Sequence, residues 1–259
     1  MITSRELLIY LSLLYKGDRS KIMNMLRGKI DIDYDEVPRL LKTIKANVTT
    51  IVDDDFPAIL KESPFPPLVI YYYGDLSLLT NYSNNISVIG SRKCEQFEEQ
   101  EARDIIDELG DKVTIVSGLA IGIDSISQRE ALRIGAKVIG VLGFGIDYCY
   151  PPESYDLYLA IKEKGLLISE YPNDLAPEPE YFLMRNRLIA YSSRATVVIA
   201  AKERSGTLST VSHALYANRD VMALPARKDD RSACNQLIRE GAELVTSGHD
   251  ILISLGLEK

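Results

Sequence analysis

From residue 86 onward, short apolar β-type segments alternate with stretches long enough for a helix, and this alternation constrains the fold more than any other feature of the sequence. The segments cover residues 86–89, 113–116, 138–142, 166–168, 196–200, 221–224 and 243–245. Unbroken apolar runs of this length are what strands covered on both faces look like. Residues 96–109, 124–134 and 207–218 lie between them, and each is long enough for a crossover helix, which favours parallel pairing. The expected fold is α/β: a Rossmann-like, doubly wound, mostly parallel sheet. There is no internal repeat and no low-complexity segment.

The chain ahead of residue 86 reads differently. Leu7, Leu8, Leu11 and Leu14 share one helical face, and Ile22, Met25 and Leu26 repeat the pattern, so residues 1–50 are expected to form a small helical N-terminal domain. Asp53-Asp54-Asp55-Phe56-Pro57 and Ser63-Pro64-Phe65-Pro66-Pro67 then interrupt any helix. Residues 51–85 therefore read as a linker and a first strand, with a β-type run at 68–73, and 86–259 as the Rossmann-like domain. On a strand, alternation turns one of Tyr71, Tyr72 and Tyr73 to the core and at most two outward.

With 259 residues and 46% hydrophobic content, the chain can bury a substantial core. No apolar run reaches membrane-spanning length and the N-terminus lacks a secretory pattern, so a cytoplasmic protein with no membrane partner is expected. A formal charge of -7 argues against a nucleic-acid partner unless arginines make one face locally positive. Cys94, Cys149 and Cys234 are too few and too scattered for a disulfide framework and read as buried apolar fillers. His213 and His249 have no ligand spacing, so no metal is expected. No serine or cysteine has the surroundings of a nucleophile. Lys61, Lys162, Lys164 and Lys202 read as solvated charges.

In a doubly wound sheet, ligands bind beyond the carboxyl ends of the strands. There the first apolar segment ends in Gly90-Ser91-Arg92, where a glycine admits an anion, a hydroxyl and amides donate to it, and an arginine supplies charge. The second ends in Ser117-Gly118-Leu119-Ala120-Ile121-Gly122-Ile123-Asp124, with Asp124 placed to cap the next helix. Gly143 and Gly145 after the third lack the rest of a dinucleotide fingerprint. Arg204-Ser205-Gly206-Thr207 opens another helix whose amides can hold a phosphate. Upstream lies Arg185-Asn186-Arg187. Its two arginines diverge around a helix, so one is free to bind a ligand while the other, with Asn186, braces loops. Each turn also has a plain structural reading, as a tight βα connection or a helix cap.

Together with Val141-Leu142-Gly143, Gly145-Ile146-Asp147, Tyr150-Pro151, Ser169-Glu170-Tyr171-Pro172, Leu237-Ile238 and Gly241-Ala242, these motifs stand in the order of one family. From about residue 53 onward the chain resembles the DprA/Smf DNA-processing proteins, and its first helices suit the small sterile-alpha-motif-like domain of many members. The resemblance implies a homodimer joined through the Rossmann domain that binds and protects single-stranded DNA with little sequence preference. It also implies help in loading the RecA recombinase during DNA uptake and recombination, without enzymatic activity and without a cofactor. Carried onto this chain, Arg92 contacts backbone phosphate, with Gly90 and Ser91 in the same turn. Ser117 and Gly118 line the pocket, Arg185 and Arg187 bind or brace, and Arg204, Ser205, Gly206 and Thr207 complete the cradle.

The chain departs from the family pattern at several points. Ile121 replaces a commonly basic residue, Gln128 a histidine, Leu183 the proline before Arg-Asn-Arg, Ala200 an acidic residue and Ala226 a glycine. The sequence stops near Leu257, so the resemblance implies no appended winged helix. Two alternatives remain. One is a phosphoribohydrolase-like nucleotide enzyme, whose catalytic glutamate position is Thr210 here. The other is a degenerate member acting as a scaffold.

Overall fold

The computed structural model describes residues 2–28, 32–80, 82–203, 205–227 and 232–258. Arg204, singled out above, lies outside them. The first helix, α1 (Ser4–Leu14), begins at a reciprocal cap: the Thr3 hydroxyl accepts from the Glu6 amide, and the Glu6 carboxylate takes the Thr3 amide. Leu8 and Leu11 turn inward, whereas Leu14 reaches solvent. Asp18 caps α2 (Arg19–Arg27), which buries Ile22, and α3 (Val37–Leu41) follows.

The sheet begins earlier than the apolar pattern shows. Strand β1 (Asn47–Thr50) is polar in sequence, yet Thr49 and Thr50 are buried where it pairs antiparallel with β2 (Val69–Gly74). The expected helical unit over residues 1–50 therefore ends before Asn47. Asn-Val-Thr-Thr carries no apolar alternation, and only the partner strand, distant in sequence, makes it a strand. Short helices α4 (Ala58–Lys61) and α5 (Ser77–Thr80) flank β2. Tyr71 is fully buried, donating to the Ser12 hydroxyl, while Tyr72 and Tyr73 are half-buried, Tyr72 against one core and Tyr73 against the other, because β2 is covered on both faces.

The parallel strands are β3 (Asn85–Gly90), β4 (Thr114–Ser117), β5 (Lys137–Leu142), β6 (Leu166–Ser169), β7 (Ala195–Ala200), β8 (Asp220–Ala223) and β9 (Glu243–Leu244). They match the seven apolar segments to within a residue or so at either end. Across the sheet the order is β1-β2-β6-β5-β4-β3-β7-β8-β9, and only the pairings made by β2 are antiparallel. The chain winds outward from β3 to β6, returns to the other side of β3 as β7, and winds on to β9. The reversal opens a crevice between the carboxyl ends of β3 and β7.

Successive strand residues feed opposite faces: Ile115, Val138 and Val197 lie in one core, Val116, Ile139 and Val198 in the other. The first core is covered by α1, α6 (Gln96–Leu109), α7 (Ile123–Arg133), α8 (Tyr155–Lys164) and α12 (Gly248–Ser254). The second is covered by α4, α9 (Pro179–Tyr191), α10 (Thr207–Tyr216) and α11 (Cys234–Arg239). Among the described residues no helix is long and apolar enough to cross a membrane. Cys234 is buried, but Cys94 and Cys149 are half-exposed, because both sit in loops beyond strand ends rather than in the cores.

Candidate functional site

The glycine-bearing turns converge on one rim of the sheet, and backbone approach explains their composition. A Cβ on Gly90 would stand 2.6 Å from the Ile123 side chain. Gly122, at φ +87°, would bring one to 2.2 Å from the Ser91 carbonyl. The turn after β4 is thus pressed against the turn after β3, and the Ile123 amide donates to the Ser91 carbonyl. Across the crevice the Thr207 hydroxyl donates to the Gly90 carbonyl at 3.1 Å, and the Asn186 amide donates to the Gly206 carbonyl at 3.2 Å. Gly90, Ser91, Ser117, Gly118, Asn186, Gly206 and Thr207 are therefore brought near one another at this rim, with Ser117 and Gly118 buried beneath it.

The side chains of several of these residues are already engaged. The Ser117 hydroxyl donates to the Val88 carbonyl, stitching β4 to β3, so it offers no free donor to a ligand. Ser91 Oγ closes its own turn, donating to the Lys93 carbonyl and accepting from the Lys93 amide. Asp124 does not cap α7. Gly122 precedes the helix, and the buried Asp124 carboxylate reaches back to accept the Gly118 amide at 3.1 Å. Burial raises the Asp124 pKa, opposed by the nearby Arg185 guanidinium and the Gly118 amide.

The two arginines of Arg185-Asn186-Arg187 diverge, as residues two apart on a helix must, but neither reaches solvent. Arg185 is 3% exposed. Its Nη1 donates to the Gly118 carbonyl at 2.9 Å and to the Val141 carbonyl, and its Nε donates to Asn186. Burial pulls its pKa down to about 10, with Asp124 acting in the other direction. Arg187 forms a two-pronged ion pair with Glu170, both contacts at 2.6 Å, and donates to the Phe65 and Met184 carbonyls. A direct phosphate contact from Arg185 or Arg187 is thus corrected to an internal brace. Their main partners lie 17 to 122 residues away in sequence, where no local pattern shows them.

Among the described arginines of the candidate site, Arg92 faces outward. It is exposed, and its guanidinium carbon lies 5.5 Å from the centre of the Phe182 ring. Phe182 in turn packs 6.0 Å from Tyr150, which is part of an edge-to-face aromatic group with Phe144. Ile121, in the turn lying against Arg92, and Leu183, beside Phe182, are both about half exposed. The rim thus offers an outward cation, an aromatic surface beside it and apolar shoulders. Such a combination holds a polyanion that also presents unstacked rings.

At the start of α10, Ser205 Oγ is buried with no hydrogen-bond partner among the described residues. Gly206 has ordinary helical φ, and a Cβ added to it would meet nothing within 4 Å, so no backbone constraint requires glycine there. Thr210 is buried on the inner face of α10. Sequence reasoning does not find Phe182, nor its packing against Tyr150, which depends on the approach of α9 to the loop after β5. Nor does it find the role of Gln128, which accepts the Leu119 amide and donates to the Ile139 carbonyl, holding the turn after β4. Among the described residues no group of histidine, cysteine or carboxylate side chains is arranged for a metal ion.

A switch-point crevice and an outward arginine at the rim of a doubly wound sheet define a Rossmann-like protein. The family model of DNA recombination-mediator protein A matches residues 47–256, beginning at the first residue of β1, and the chain belongs to that family. It is 40% identical over 205 residues to the DNA processing protein DprA of Streptococcus pneumoniae, spanning 78% of this chain and 72% of that one. It is 40% identical over 209 residues to the Protein Smf of Synechocystis, covering 79% of this chain but only about half, 52%, of that relative. The X-ray structure of the pneumococcal DprA superposes with a TM-score of 0.84 at 31% identity, covering 98% of both chains. A Helicobacter pylori DprA structure, described for its single-stranded DNA binding mode, superposes at 0.73 and 26% identity, covering 82% of this chain and 96% of that one.

Proposed function

We propose that this protein binds single-stranded DNA with little sequence preference at the rim carrying Arg92, and protects it. We further propose that it works without catalysis in the cytoplasm, as a homodimer joined through the Rossmann domain, and assists loading of RecA during DNA uptake and recombination. The observation that carries the DNA reading is the exposed Arg92 guanidinium standing over Phe182 at the switch-point rim of a chain in the recombination-mediator family. A Helicobacter pylori relative is described as binding single-stranded DNA, which supports the same ligand here. Charge-neutral apolar shoulders and an outward guanidinium suit a flexible strand better than a duplex, whose bases are already stacked.

The test is fluorescence anisotropy with labelled oligo-dT and with a duplex of equal length, in several salt concentrations, for the parent and Arg92→Ala. The parent is expected to prefer the single strand, with affinity falling as salt rises. Arg92→Ala is expected to bind more weakly with a salt slope shallower by about 0.7. Equal binding by parent and variant at every salt concentration overturns the assignment.

A further inference from the structure

We propose that the open cleft of about 670 Å³ at the switch point is a second nucleotide subsite. It would receive the sugar-phosphate backbone of the strand that passes Arg92, with Lys93 and Lys202 as its phosphate contacts. The proposal rests on the single-strand reading above and adds to it the route of the strand and two residues.

The cleft lies between the turn after β3 and the turn after β7, with Ser91 on one side and Ala201 on the other, and Lys93 directly follows Arg92 in the chain. Both lysines are exposed at the ends of anchored backbone. Ser91 Oγ takes the Lys93 amide at 3.1 Å. Lys202 sits in an antiparallel bridge with Ser232, whose hydroxyl donates to the Ala201 carbonyl. Neither lysine belongs to an ion pair among the described residues. Exposed lysines anchored at the base and without an ion pair among the described residues suit a backbone of variable geometry, because an ammonium acts as a point charge with no required orientation.

Two carboxylates, Glu95 and Glu98, also line the cleft, and Glu98 is turned onto the first turn of α6, where it accepts the Glu95 amide at 2.7 Å. Their charge offsets the positive end of that helix. Further along α6, Glu101 and Asp104 add negative charge, while Glu99 pairs with Arg103, so that direction is less favourable to a polyanion. The favourable direction from Arg92 is therefore across the crevice from Lys93 to Lys202. Arg227, with its guanidinium carbon 3.9 Å from the centre of the Phe97 ring, adds positive charge beside the Phe97 wall of the cleft.

The test compares the parent with the Lys93→Ala/Lys202→Ala double variant by oligo-dT anisotropy over a range of potassium chloride concentrations. Loss of two single-strand phosphate contacts is expected to flatten the log–log salt slope by about 1.4, roughly 0.7 for each contact. An independent reading uses Cys94, a half-exposed thiol lining the cleft, in a Cys149→Ser background; Cys234 is buried. Saturating oligo-dT is expected to slow alkylation of Cys94 by N-ethylmaleimide several-fold. An unchanged salt slope together with an unchanged alkylation rate overturns the subsite. If that happens while Arg92→Ala still weakens binding, the single-strand reading stands alone. If the parent does not bind oligo-dT, both fall together.

Discussion

Arg185→Ala separates bracing from binding. In the folded protein the Arg185 guanidinium satisfies the carbonyls of Gly118 and Val141, at the ends of two neighbouring strands, and offsets the buried carboxyl of Asp124. Alanine removes all of this and opens a space that water reaches poorly. An orphaned buried acceptor costs about 1–3 kcal/mol, so the two carbonyls together set a loss of about 2–6 kcal/mol. For a domain whose total stability is on the order of 5–15 kcal/mol, that is a large fraction. At about 2–4 °C per kcal/mol for a chain of this size, the melting temperature is expected to fall by roughly 4–24 °C. Urea denaturation followed by circular dichroism, fitted with a common m-value, measures the change, and Arg92→Ala serves as the control with an expected change within about 0.5 kcal/mol. A loss below about 1 kcal/mol for Arg185→Ala, or equal losses for both variants, refutes the assignment of Arg185 as an internal brace. An arginine reaching into solvent to bind a ligand would have little effect on stability, so this measurement distinguishes two opposite outcomes.

Replacing Arg187 by Met alone leaves the Glu170 carboxylate buried without its partner and is expected to cost about 3–5 kcal/mol in chemical denaturation, whereas adding Glu170→Leu should recover much of that loss. Gly118→Ala would place a Cβ 2.5 Å from Arg185 Nη1 and should destabilise the fold. Gly206→Ala meets nothing within 4 Å and should leave the melting temperature unchanged or raise stability by about 0.4–1 kcal/mol. The exposed Arg129–Asp156 pair joins α7 to α8, and hydrogen bonding to Arg129 holds the Asp156 carboxyl down to about 2, below its ordinary 3.8. Its contribution is therefore present at neutral pH and lost as pH falls through about 2. Asp156→Asn should cost up to about 1 kcal/mol at pH 7, a difference that disappears in unfolding curves taken progressively from pH 4 towards pH 2.

The parallel strands are legible in the sequence because a strand covered on both faces has to be apolar throughout, and runs such as Thr196-Val197-Val198-Ile199-Ala200 admit little else. Helix α6 is equally clear from its spacing. Strand β1 is not, since an edge strand needs only a partner, and Asn47-Val48-Thr49-Thr50 carries no apolar signal. At the site, the order of the glycine-bearing turns locates the rim, because backbone crowding between Gly90, Gly122 and their neighbours depends on residue type. Side-chain direction is not legible. Helical geometry makes Arg185 and Arg187 diverge, but whether each ends in water or in the interior is decided by Gly118, Val141, Glu170 and Phe65, which only the tertiary fold brings to them. The same holds for Asp124, whose position suggests a helix cap and whose carboxylate instead grips the preceding turn.

The antiparallel pair β1 and β2 bears on how small a working fragment of this protein can be. A truncation starting at residue 86 would strip β2 from β6, exposing the main-chain donors and acceptors along Leu166-Leu167-Ile168-Ser169, all of them interior residues in the intact chain. A bare, greasy strand of that kind recruits other chains edge to edge. Trimmed to its parallel half, the molecule would therefore be expected to precipitate, and a soluble minimal version has to retain the chain from Asn47.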